Sequence, residues 1–186
     1  LWPLLIVLFA GFLPGVRVRG GQWLGTLLGL AAAVVLITRG STVSLRADYL
    51  PGYAAALGAA VIWAAYSVLN RRHANVPSAA IALPCVLVAV LGAAAHAAFE
   101  TTVQPEPGQW LALLGMGVGP VGAAFLLWDI GTKRGDIALL GSLSYLAPLL
   151  STLLLVIAGQ AQPHVSQALA IALLLLGAWL SVRRAG

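Results

Sequence analysis

Charge is what this chain has least of. Only 8% of its 186 residues are charged and five are acidic, whereas a soluble domain carries roughly 25% charged residues. So few charges cannot cover a water-facing surface. Its one cysteine, Cys85, excludes an intrachain disulfide and a cysteine metal cluster, and in an apolar block it reads as a small packing residue. No cofactor or metal is expected. The ten basic residues leave a formal charge of +5, yet they fall singly or in pairs between apolar blocks. No basic stripe tracks phosphates, so nucleic acid is not an expected partner. The chain also opens Leu1-Trp2-Pro3 without an initiating Met, and its first apolar run stops near Leu13, short of a membrane span. A basic n-region and a small-residue cleavage site are missing, which argues against a signal peptide. Residue 1 is therefore expected to be a cut inside a helix.

What is present is apolar, 61% of all residues, in blocks close to the roughly 20 residues that cross a hydrocarbon core. Breaks rich in Gly, Pro and charge divide the chain into a partial span, 1–13, and six complete ones near 22–38, 52–70, 79–99, 109–132, 137–158 and 165–182. The expected fold class is all-α, a polytopic transmembrane helix bundle. The lipid bilayer is its first partner.

Successive spans alternate direction, so the connections sort onto two sides, and the charges test that sorting. One side holds Arg17, Arg19, Arg71, Arg72, Lys133, Arg134, Arg183 and Arg184, eight of the ten basic residues. The other holds Arg39 and Arg46 with Asp48, Glu100 and Glu106. Positive charge marks the cytoplasmic side, which predicts a cytoplasmic C-terminus and an external loop over 100–108.

A slide of about 145 positions lays residues 1–40 over 146–185 without a gap. Pro3, Gln22 and Arg39 then meet Pro148, Gln167 and Arg184, along with several leucines. The leucine matches are cheap in apolar helices, and the other three carry the weight. The copies start five spans apart, an odd number, so they enter the membrane in opposite directions. Such an inverted repeat suits alternating access in a transporter. It divides the chain into 1–40, the end of a first repeat, and 50–186, a second repeat of five spans. The unit beginning near Leu50 should have a partner upstream of Leu1, which implies about 95 further residues and a parent of roughly 280 with ten helices.

Gly117-Val118-Gly119-Pro120-Val121-Gly122 matches a dinucleotide fingerprint in form only, because that motif needs a preceding strand and a βαβ unit. With Gly115 these glycines instead predict a small-residue packing face. Pro120 sits mid-span and cannot donate to Met116, so a kink is expected there, and Pro84 and Pro148 are expected to repeat the device. Curvature alone, or a hinge lining a cavity, would both use it. Asp129 is the carboxylate clearly inside an apolar block and an intramembrane functional candidate. Lys133 at i+4 offers the alternative, an interfacial ion pair. His96, near the outer end of its span, is a weaker candidate for the same role. Trp63, Tyr66 and Ser67 fall within one turn near mid-span, and Trp128 and Tyr145 could join them from later helices. Lining a cavity for an amphipathic, ring-bearing solute and plain core packing both fit. Trp2, Trp23 and Trp110 lie nearer span ends and read as interface anchors.

The segment Gly119-Pro120-Val121-Gly122-Ala123-Ala124-Phe125-Leu126-Leu127-Trp128-Asp129, continuing through Gly135-Asp136 to Ser144-Tyr145-Leu146-Ala147-Pro148-Leu149-Leu150-Ser151-Thr152, resembles the drug/metabolite transporter superfamily with paired EamA-type repeats. The likeness is nearest to its YddG-type branch of aromatic amino acid exporters, and Trp63-Ala64-Ala65-Tyr66-Ser67 looks like that family's sixth helix. The resemblance spans helices four to ten of ten. It implies inverted EamA repeats around a central cavity, export of amino acids or related small metabolites, and Trp63, Tyr66, Ser67, Trp128 and Tyr145 as substrate-binding residues. A multi-pass protein of the plasma (inner) membrane is expected, with a monomer as its assembly. Rival readings are a permease for a nucleoside or amphiphilic drug, a membrane-embedded enzyme, which would need clustered His, Asp, Glu or Cys at one depth, and a scaffold.

Overall fold

A hydrocarbon solvent leaves the backbone no water to bond, so apolar blocks of this length close their own hydrogen bonds as helices. The computed structural model describes residues 1–38, 47–160, 162 and 165–182, and the regular elements among them are all helical. They are α1 (Trp2–Ala10), α2 (Gly20–Thr38), α3 (Leu50–Leu69), α4 (Ala82–Phe99), α5 (Pro107–Met116), α6 (Ala124–Arg134), α7 (Ile137–Leu143), α8 (Leu146–Ile157) and α9 (Val165–Val182). Short 3-10 turns cover Ala47–Tyr49, Asn70–His73 and Ser78–Ile81. Five continuous stretches are long and apolar enough to cross a membrane: Ala47–His73, Ser78–Phe99, Pro107–Arg134, Ile137–Ile157 and Val165–Val182. The apolar part of α2, Gly20–Leu36, is slightly shorter. This is a polytopic all-α membrane protein. Arg39, Arg46, His164, Arg183 and Arg184 lie outside the described residues.

The chain forms two compact units, one from residues 1–69 and 136–186, the other from 70–135. In the first, α2 lies along α9, and glycine decides how closely. A Cβ on Gly21 would strike the Leu180 carbonyl, one on Gly25 would strike Ser181 and the Gly177 carbonyl, and one on Gly177 would lie 2.8 Å from the Gly25 carbonyl. Farther along, Ala32 is buried with Ala170 and Leu174. Residue numbers rise on one helix as they fall on the other, so α2 and α9 run antiparallel. Small residues are what let two membrane backbones approach this closely. In the same unit α1 packs on α3 and α7, and a Cβ on Gly141 would stand 2.9 Å from methyls of Ile6 and Val7.

The span Ile137–Ile157 is broken between α7 and α8. Pro148 has no N–H to give the carbonyl of Ser144, four residues back. That carbonyl takes the Ala147 N–H instead, at 3.2 Å in a tighter i to i+3 bond. The break thus falls one turn before Pro148, where the proline leaves a donor missing.

In the second unit α5 and α6 are joined by a π-helical segment, Gly117–Ala123, around Pro120. In a π register each N–H reaches five residues back, and the Ala124 N–H does bond the Gly119 carbonyl. In that register residue 116 pairs with 121, so the missing Pro120 donor is stepped over by widening the helix. The glycines around it meet nothing outside their own helix: a Cβ on Gly115, Gly117 or Gly119 would find no atom within 4 Å among the described residues. Pro84 departs from expectation. It lies in the first turn of α4, just after the 3-10 turn, where the helix has not yet begun to need that donor, and so it produces no mid-helix kink.

Candidate functional site

Trp63, Tyr66 and Ser67 share a face of α3 because residues three and four apart are helix-surface neighbours. The Trp63 and Tyr66 rings stand 5.5 Å apart at 38°. Trp2 of α1 meets Trp63 edge to face, with centroids 6.4 Å apart and planes at 87°. Both separations fall in the range where aromatic quadrupoles attract. Sequence reasoning made Trp2 an interface anchor, and the structure instead brings it into the aromatic cluster. No local signal could have shown this, since the contact depends on α1 crossing α3. Ser67 is fully buried and its Oγ donates to the Trp63 carbonyl at 2.8 Å, so in this arrangement it braces the turn that carries the rings.

Tyr145 belongs to the same unit. Its ring packs where Gly29 leaves room, among Ala32, Leu149, Ala170 and Leu174. Trp128 belongs to α6 of the second unit, half-buried beside Asp129. The structure therefore joins Trp63 and Tyr66 to Trp2, and places Tyr145 in the α2, α8 and α9 core.

Asp129 and Lys133 form the i,i+4 pair, Oδ2 to Nζ 2.8 Å, with side chains 4% and 5% exposed. The charges are enclosed by polar partners from the connection between α3 and α4. Asn70 Nδ2 donates to Asp129 Oδ1 at 2.8 Å and to Thr132 Oγ1 at 3.0 Å, Ser78 hydrogen-bonds Asp129, and Lys133 Nζ donates to the Val76 carbonyl at 3.0 Å. Burying two charges is tolerable only with such company. Asn70 was not singled out from sequence, although an amide at the end of an apolar span was the available hint. His96 bonds locally, to Glu100 and to Thr102.

Asp136 is a second residue that sequence reasoning passed over. Its Oδ1 accepts the N–H groups of Ala138 and Leu139, both at 3.0 Å, which caps α7. Its Oδ2 accepts from Gln22 at 3.0 Å and from Arg19 at 3.3 Å. One carboxylate thereby ties the start of α2 to the start of α7.

The model of the EamA-like transporter family matches residues 50–183. The chain belongs to that family. A protein of Ancylobacter novellus described as aromatic amino acid exporter YddG is 53% identical over 179 residues, 96% of this chain and 62% of that relative. A crystal structure of a protein 52% identical in sequence superimposes with a TM-score of 0.93, over 97% of this chain and 64% of that one. The chain thus spans a little under two thirds of the length of the relatives it matches. The family match takes in α3 through α9, and so both Trp63 and the Asp129 pair.

Proposed function

We propose that the protein exports aromatic or hydrophobic amino acids, or related small metabolites, across the cell's inner membrane by alternating access, without catalysing a reaction. The 53% identity to a protein described as an aromatic amino acid exporter carries this reading. Two features of the chain support it. Trp2, Trp63 and Tyr66 make an aromatic surface of the kind that stacks against a ring-bearing solute while offering polar edges. The antiparallel packing of α2 on α9 is what matched copies of an inverted repeat would do, because residues 22–38 lie over 167–183 in the repeat alignment. In this reading the repeats are 1–40 and 50–186, Pro148 and the π segment at Pro120 supply bending points, and the C-terminus is cytoplasmic. The full-length protein acts as a monomer in the bilayer.

Counterflow in proteoliposomes tests the substrate class. Vesicles preloaded with tryptophan or phenylalanine should drive uptake of labelled phenylalanine, and external tyrosine should compete. Exchange driven by nucleosides with no competition from aromatic amino acids would replace this reading with a permease for another solute.

A further inference from the structure

The second unit gathers its positive charge at one end. The Arg71 guanidinium, in the turn Asn70–His73, donates to the carbonyl of Gly135 at the C-terminus of α6. Arg72 and Arg134, each one residue from that bonded pair, are exposed. Lys133 is there too, but its charge is spent on Asp129. The other carboxylates of this unit, Glu100 and Glu106, lie beyond the far end of α4, whose start is held near Asp129 through Ser78. An 18-residue helix separates them by about 27 Å. Asp136, next along the chain, is occupied by Arg19, Gln22 and the α7 cap. Three guanidiniums therefore share one end with no carboxylate paired to them among the described residues.

Two apolar stretches stop at this end, Ala47–His73 and Pro107–Arg134. Helices of spanning length end at headgroup level, so these guanidiniums lie in the layer of lipid phosphates. Arginine offers a planar fork that takes two phosphate oxygens at once, and the Gly135 carbonyl fixes one of the three in place. Basic clusters just beyond transmembrane helices attract anionic lipid. We propose that Arg71, Arg72 and Arg134 form a site for the headgroup of an anionic phospholipid, whose phosphodiester charge no amine cancels. Zwitterionic lipid carries its own cation and fits the site less well.

The test is competition between lipids. The full-length protein is reconstituted into nanodiscs of phosphatidylcholine mixed with phosphatidylglycerol, and the lipids retained on release are counted by native mass spectrometry. The intact protein should hold phosphatidylglycerol in excess of its share of the disc. Arg72→Gln with Arg134→Gln should weaken that preference roughly 30-fold, about fivefold per guanidinium, while Arg72→Lys with Arg134→Lys keeps most of it. Melting in pure phosphatidylcholine should match between the intact protein and both variants. Equal retention of the two lipids by the intact protein, or a preference untouched by the glutamine pair, would overturn the proposal. So would displacement of the retained lipid by inorganic phosphate, which would mark a site for free anions.

Discussion

Asp129 and Lys133 show how one residue spacing leaves two chemistries open until burial decides between them. At i,i+4 near a helix end the pair could have been a solvated surface bridge, worth about 0–1 kcal/mol. Enclosed by Asn70, Thr132, Ser78 and the Val76 carbonyl, it becomes a case where loss of one partner strands a buried charge. Asp129→Asn should cost about 3–5 kcal/mol, seen as a large drop in the melting temperature of the detergent-solubilised protein. Asp129→Asn with Lys133→Met should recover much of that loss, and a double variant no better than the single one would show that the two side chains do not act together. Trp63 belongs to the same scale but to another task. Trp63→Ala removes the ring that touches both Trp2 and Tyr66, so the melting temperature should fall modestly with the loss of ~0.5–1.5 kcal/mol per ring pair, and half-saturation for phenylalanine in counterflow should rise roughly tenfold with the loss of a stacking surface for the solute. Unchanged half-saturation would remove Trp63 from the substrate path.

Among the helices, the contact of α2 with α9 has the tightest tolerance. Gly25→Leu would drive a side chain into Ser181 and the backbone of Gly177, and overpacking of this kind costs about 1–3 kcal/mol or more. The substitution should lower the melting temperature, whereas Gly92→Leu on α4, where a Cβ meets open space, should not. Length and apolarity set the helix limits: α9 runs Val165–Val182 against a span read at 165–182, α3 starts two residues before the span read at 52–70, and α4 starts three residues into the span read at 79–99, after the 3-10 turn Ser78–Ile81. Departures came where the proline mattered in detail. Pro120 produced a π segment rather than a simple kink, because the glycines beside it let the helix widen. Pro84 produced nothing, because the helix starts beside it. The glycine seam at Gly21, Gly25 and Gly177 went unread for another reason. Small residues at four-residue spacing on α2 show that something approaches, but only the fold says that α9 is what does. For the aromatic cluster, Trp63 and Tyr66 could be paired within one helix, while Trp2 needed a tertiary contact to join them.

For the whole molecule, the reading proposed here is that two antiparallel copies of one helical unit cross the membrane, and the charge distribution and the α2 and α9 contact support it independently. Eight of ten basic residues fall on one side of the membrane when the spans are counted this way, and a miscounted helix would scatter them. The antiparallel run from Gly21 beside Leu180 to Ala32 beside Ala170 requires the C-terminus of α2 and the C-terminus of α9 to emerge on opposite faces. Arg39 and Arg184, which the repeat alignment makes equivalent, follow those two ends. The most direct measurement places single cysteines at these positions, Arg39→Cys and Arg184→Cys, each in a Cys85→Ala background, and treats intact cells with a membrane-impermeant maleimide. Position 39 should label from outside and position 184 only after the membrane is opened. Labelling of both from the same face would contradict the inverted arrangement and the transport mechanism built on it.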